Sequence, residues 1–264
     1  MQITLIQGLL IALVVFICAM DKHMEAFMWF RPLVVAFFTG IILGDVSLGL
    51  KAGAVAELSY LGLLTVGGTV PPDPLFAGLM TTVLAHTTGC DVNTALGLAV
   101  PFALIGQWIG TATNTFYAGF LPSIDKAAAE GNEKVLEKKL FTGWFLYGIL
   151  FAVAAFLSVY AFQSGIAAFV NAFPEWLVHG FEVAGGLMPA VGLALLLVVM
   201  LKKENVAFLL AGFVIMVITN CANILPVAII AGCIAFVGFN RDIQIAKLEE
   251  AKGASGEGEF EDGI

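Results

Sequence analysis

The residues best equipped for chemistry gather in one stretch, AELSYLGLLTVGGTVPPDP, residues 56–74. There Glu57 and Asp73 bracket Thr65, Gly67, Gly68, Thr69 and two prolines, with no basic residue between them. Neither acid is cheap in so apolar a setting, because a carboxylate at a bilayer centre costs about 2.5–3.5 kcal/mol on insertion scales unless it finds a partner, a proton or water. Three uses fit. Carboxylates, amides and hydroxyls hydrogen-bond the vicinal hydroxyls of a hexose directionally, as aliphatic side chains cannot. A lone intramembrane acid also suits a proton or cation relay. The third use is structural, with Glu57 capping a broken helix and Asp73 serving as a turn residue among prolines.

The polar residues nearby lean toward the sugar. Gln107, Thr111 and Asn114 fall at i, i+4 and i+7 in GQWIGTATNT, on one helix face, with Trp108 beside them. Such residues also supply ordinary hydrogen bonds between membrane helices. A relay would repeat ionisable groups, and this helix has none. The three histidines, His23, His86 and His179, show no metal-ligand spacing, and no glycine loop resembles a phosphate cradle. The sequence therefore assigns no catalytic residue, no metal and no cofactor. Arg31, just before Pro32, reads as an interfacial anchor. Glu182 with Gly185 and Gly186 marks either a second helix break or a close helix crossing.

The elements that must hold these groups are membrane helices. Of 264 residues, 60% are hydrophobic and 12% charged, outside the range of soluble domains. Stretches such as ITLIQGLLIALVVFICAM and VAGGLMPAVGLALLLVVML approach the ~20 residues that cross a bilayer. The first lacks the basic start and cleavage pattern of a signal peptide and reads as a retained helix. Cys18, Cys90, Cys221 and Cys233 are scattered singly, as small hydrophobes. The net charge is −8, yet seven acids against three bases lie in residues 240–264, so half of it belongs to the tail. No basic patch suits nucleic acid.

The expected fold class is an all-α polytopic membrane protein with broken or re-entrant hairpins. Residues 1–122 form a membrane region carrying the hairpin and the site. Residues 123–140 form an amphipathic segment at the cytoplasmic face, with Glu130 and Lys134 at an i,i+4 spacing. Residues 141–239 return to the membrane, and residues 240–264 make a disordered acidic cytoplasmic tail. Lysines of the central segment, Lys202, Lys203 and the start of the tail fall on one face if residues 141–170 and 183–201 each cross once and 206–219 pairs with 224–239 as a hairpin. Single spans at 32–50 and 92–120, with 52–90 paired or not crossing, put DKHMEAFMWFRP on that face too. The Gly pair and prolines of GGTVPPDP cannot continue a regular helix, which puts a hairpin tip inside the protein.

Several motifs in fixed order, ITLIQGLLIALV, FRPLVVAFFTGIILGD, GAVAELSYLGLLTVGGTVPPDP, GLAVPFALIGQ and HGFEVAGGLMPAVG, resemble the IIC membrane subunit of the mannose-type sugar phosphotransferase system. The resemblance runs over about residues 3–239 and is greatest to the N-acetylgalactosamine or galactosamine branch. It implies an elevator-type permease subunit of the bacterial inner membrane that is not itself an enzyme. It implies a IID membrane partner, IIC–IID pairs assembled as a trimer, and IIA and IIB phosphocarriers, of which IIB phosphorylates the emerging hexose or amino sugar. The sugar contacts it implies are Glu57, Thr65, Gly67, Gly68, Thr69, Asp73 and Gln107. The rival from another class is an ion-coupled secondary transporter with Glu57 as its coupling site.

Overall fold

The computed structural model describes residues 2–63, 70–161, 165, 173–219 and 225–256, and no strand occurs among them. The chain divides into two compact units, Met1–Val199 and Met200–Ile264. In the first unit the helices are α1 (Leu5–Met24), α2 (Pro32–Leu43), α3 (Val46–Tyr60), α4 (Pro74–Thr88), α5 (Val92–Ala118), α6 (Leu121–Ala129), α7 (Glu133–Phe156) and α8 (Glu175–Met200). A wider helical turn, Leu157–Ala161, prolongs α7. The second unit holds α9 (Val206–Thr219) and α10 (Leu225–Gly256). Among the described residues, α1, α5, α7 with its continuation, α8 and the first part of α10 are long and apolar enough to cross a membrane.

Short polar signals set the boundaries. Thr4 and Gln7 form a reciprocal cap on α1, with the Gln7 amide donating to Thr4 Oγ1 at 3.3 Å and the Thr4 amide donating to Gln7 Oε1 at 2.9 Å. Asp91 opens α5 and Asn132 opens α7, each through its side-chain oxygen. Gly44 ends α2 at φ +80°, and Asp45 at once caps α3 by accepting from the Leu48 amide at 2.9 Å.

That Gly–Asp pair corrects one expectation. Residues 32–50 do not make a single span; α2 has 12 residues and folds back on α3 as a tight helical hairpin. Small residues permit the approach. A Cβ on Gly40 would sit 2.9 Å from the Gly49 Cα, and one on Gly53 would meet the Ala36 Cβ at 2.8 Å. These pairs run in opposite directions along the two helices, so α2 and α3 are antiparallel.

Helix α4 packs against α2, α3 and α5, and eleven consecutive residues from Leu75 to Ala85 are buried. A helix buried all round has no polar face to offer. Thr81 and Thr82 accordingly return their hydroxyls to their own helix, at Ala77 O and Gly78 O. Around α4, the core gathers Ile11 and Val15 of α1, Val35 of α2 and Phe151 of α7. Helix α1 also lies along α7, where Trp144 Nε1 donates to Met20 O at 2.7 Å and Gly8 touches Tyr160.

Two further expectations change. The lysine-rich segment is two helices, because Gly131 at φ +65° breaks it; Lys126 meets Glu130 at 3.9 Å, and no Glu130–Lys134 pair forms. The expected disordered tail begins instead as helix, since α10 runs on to Gly256 through the helix-forming AKLEEAK. Residues 257–264 lie outside the described residues. Glycines 185 and 186 mark no break: α8 is continuous across them, and Gly185 abuts the Asn93 carbonyl, a close helix crossing.

Because a Cβ on Gly49 would meet the Ala36 carbonyl at 2.6 Å, backbone would have to move. Gly49→Val should destabilise the protein by about 1–3 kcal/mol, read as a lower thermal midpoint in detergent, whereas Gly44→Asn, at an open left-handed position, should change it little.

Candidate functional site

The two carboxylates singled out by the sequence both end at the junction of α1 with α2. This connection, residues 25–31, turns back sharply, with Glu25 at φ +48° and Met28 at φ +58°. The Asp21 carboxylate holds its shape by accepting from the Phe27 amide at 2.8 Å and the Trp29 amide at 2.6 Å. The bend delivers Arg31 to the start of α2 and leaves Lys22 in the last turn of α1.

Glu57 lies in the last turn of α3, which the hairpin returns to the start of α2. Arg31 Nε donates to Glu57 Oε1 at 2.6 Å, its terminal nitrogen pairs with the same oxygen, and the Leu33 amide donates to Oε2 at 3.2 Å. One carboxylate thus neutralises a guanidinium and satisfies an otherwise unpartnered amide in the first turn of α2. Both side chains keep some exposure, 29% for Arg31 and 19% for Glu57.

Asp73 is more enclosed. It is the N-cap of α4, with Pro74 after it, and Oδ1 accepts from the Phe76 amide at 3.0 Å. Its own amide donates to Ala103 O of α5 at 2.9 Å, and Gly106 lets α5 come up against it, since a Cβ there would sit 2.7 Å from the Asp73 Cβ. Oδ2 pairs with Lys22. The Asp73 side chain is wholly buried, that of Lys22 a quarter exposed. Lys22 Nζ stands 5.2 Å from the Phe151 ring centre and against the Tyr147 hydroxyl, and Tyr147 stacks on Phe151 at 4.6 Å. Tyr60 of α3 is buried as well, packed with Ala77 of α4 and Ala103 of α5.

Gln107 joins this group from α5: its Nε2 donates to Val70 O at 2.5 Å, tying the helix to the chain just before Asp73. Thr111 and Asn114 are exposed farther along α5, and Thr111 Oγ1 donates to Gln107 O. Thr65, Gly67, Gly68 and Thr69 lie outside the described residues. The geometry pairs Glu57 with Arg31 and Asp73 with Lys22, two cations that local sequence did not reveal, and Gln107 is tied to the chain just before Asp73. The partners of Lys22 and Arg31 stand 51 and 26 positions away. The one available signal was the concentration of charge in DKHMEAFMWFR. His23, next to Lys22, meets Tyr117 edge-on and Tyr147 at a tilt, and exposed His179 meets Glu182 at 3.2 Å.

Removing charge at the two acids should have unequal effects on stability. Asp73→Asn keeps the capping oxygen but leaves Lys22, three-quarters enclosed, without its counter-charge and should cost about 3 kcal/mol, whereas Glu57→Gln, in a pair with both partners partly exposed, should cost about 1 kcal/mol or less. Thermal unfolding of the two variants in the same detergent checks the ranking.

Comparison with known proteins agrees with the fold. The family profile described as PTS system sorbose-specific IIC component matches residues 5–237. The N-acetylgalactosamine permease IIC component 1 of Escherichia coli K12 is 41% identical over all of this chain and 99% of its own length. The mannose-specific EIIC component of the same strain is 30% identical, over 83% of each. Among solved structures, one described as a membrane protein superposes with a TM-score of 0.80 at 28% identity, covering 90% of this chain and 97% of that one. The cryo-EM structure of the mannose transporter ManYZ with microcin E492 gives 0.58 at 28% identity, over 91% and 97%. With its apolar helices and this likeness along nearly its whole length, the chain belongs to the sorbose-type IIC family, the multi-pass membrane subunits of bacterial sugar phosphotransferase systems.

Proposed function

We propose that this chain binds an amino sugar, N-acetylgalactosamine before other hexoses, and carries it across the inner membrane to be phosphorylated by a IIB subunit. The observation that carries this reading is the pairing of Glu57 and Asp73 with Arg31 and Lys22, the cations that flank the connection between α1 and α2, with Gln107 tied to the chain just before Asp73. Partly exposed Glu57 offers acceptor oxygens and Gln107 an amide, groups that hydrogen-bond the hydroxyls of a hexose, and Asp73 is read as becoming available to the sugar when the hairpin moves. Thr65, Gly67, Gly68 and Thr69, which lie outside the described residues, are assigned to the same site in this reading. The choice of amino sugar is supported by the 41% identity to an N-acetylgalactosamine permease component.

In this reading the chain is a transporter subunit without a phosphorylated residue of its own. Its partners are a IID subunit, with IIC–IID pairs assembled as a trimer, and the IIA and IIB phosphocarriers. A IID partner is supported by the likeness to one chain of the ManYZ assembly. The hairpin moves the sugar between the two faces as an elevator, bending where Gly44, Pro71, Pro72 and Pro74 interrupt the helices.

Uptake into membrane vesicles holding this chain with its IID partner tests the proposal. Sugar phosphate should accumulate only with phosphorylated IIB, and N-acetylgalactosamine should outcompete mannose. Free sugar driven in by an ion gradient alone would make the chain a secondary transporter coupled through Glu57. Glu57→Gln should lower uptake about tenfold or more while the IIC–IID complex still purifies intact; loss of the complex would make Glu57 structural.

A further inference from the structure

Of the Lys22–Asp73 pair, only Lys22 reaches the surface. Asp73 is completely enclosed, with one oxygen committed to the Phe76 amide and the other to Lys22. An ammonium carries three N–H donors. Asp73 takes one, Tyr147 faces another, and the pair leaves a third on a side chain that is one quarter exposed. Its freedom is otherwise small. Phe151 lies beneath it at 5.2 Å, Tyr147 stacks on that ring, and the pair with Asp73 ties it to the N-terminus of α4. A donor already held in place loses little entropy when it binds a ligand, and its charge is neutralised by Asp73, the cap of α4.

We propose that Lys22 is a further substrate-binding residue, which donates a hydrogen bond to an oxygen of the sugar while Asp73 fixes it from behind. This rests on the sugar-binding reading above. Sugar oxygens need donors as well as acceptors, and Glu57 and Asp73, as carboxylates, can only accept. Lys22, from α1, adds a charged donor to the Gln107 amide of α5.

The test is a calorimetric measurement of affinity on the IIC–IID complex in lipid nanodiscs. The probes are N-acetylgalactosamine and a set of analogues, each lacking one hydroxyl or the acetyl group. Wild type should bind the parent sugar best. Lys22→Met should bind the parent about tenfold or more weakly, the cost of a charged hydrogen bond, and should bind one analogue as well as it binds the parent. That analogue identifies the oxygen Lys22 contacts. Equal weakening across all the analogues would give Lys22 a structural role only, and unchanged affinity for the parent would also overturn the proposal. If Lys22→Met does not assemble, Lys22→Met with Asp73→Asn removes both charges together, with Asp73→Asn alone as its reference and the same analogue pattern as the criterion. Wild type that binds none of the sugars would instead remove the functional reading itself.

Discussion

Everything in the first unit is arranged around the need to neutralise two acids in an apolar interior. Asp73 cannot be enclosed by α4, α5 and α7 without a cation, and that cation has to come from Lys22 at the end of α1. The same requirement sets the bend of residues 25–31. Asp21 pins the loop amides, and the bend then places Arg31 where Glu57 arrives from α3. Three acids and two bases thus join α1 to the hairpin and to α4. Neither pair forms between sequence neighbours, so the electrostatics and the topology are one constraint.

Close packing makes the arrangement possible. Carboxylate and amide meet at the start of α2 because Gly40, Gly49 and Gly53 let the two hairpin helices touch along their length. Gly106 does the same for α5 against the cap of α4. In lipid there is no hydrophobic drive between helices, and small residues that admit close backbone contact and polar side chains that bond across helices take its place. Both devices occur here within a few residues of each other.

Much of this was legible in the sequence. Composition alone placed the helices in a membrane, and the Gly–Pro interruption before Asp73 marked a broken segment. Asp73 is indeed followed by a helix start, with Pro74 at its first position. The Gly44–Asp45 break was equally readable as a helix stop followed by a helix start, yet the apolar length around it suggested one continuous span. What the sequence could not reveal was the identity of the cations. Opposite charges 26 or 51 positions apart carry no periodicity, so only the folded chain shows that Lys22 and Arg31 belong with Asp73 and Glu57. The turn at residues 65–69, which the sequence places beside them, lies outside the described residues.

The burial of α4 also has a meaning for biogenesis. A fifteen-residue helix with eleven consecutive buried positions offers almost nothing to lipid, and two of those positions are threonines. It is stable only once α2, α3 and α5 surround it, and its capping acid is neutralised only once α1 is in place. The seam between α1 and α7 then closes across a separation of 124 residues, from Met20 to Trp144. Because these partners are so far apart in the chain, α1 cannot complete its packing until α7 has been made, and the enclosure of α4 waits on helices made both before and after it.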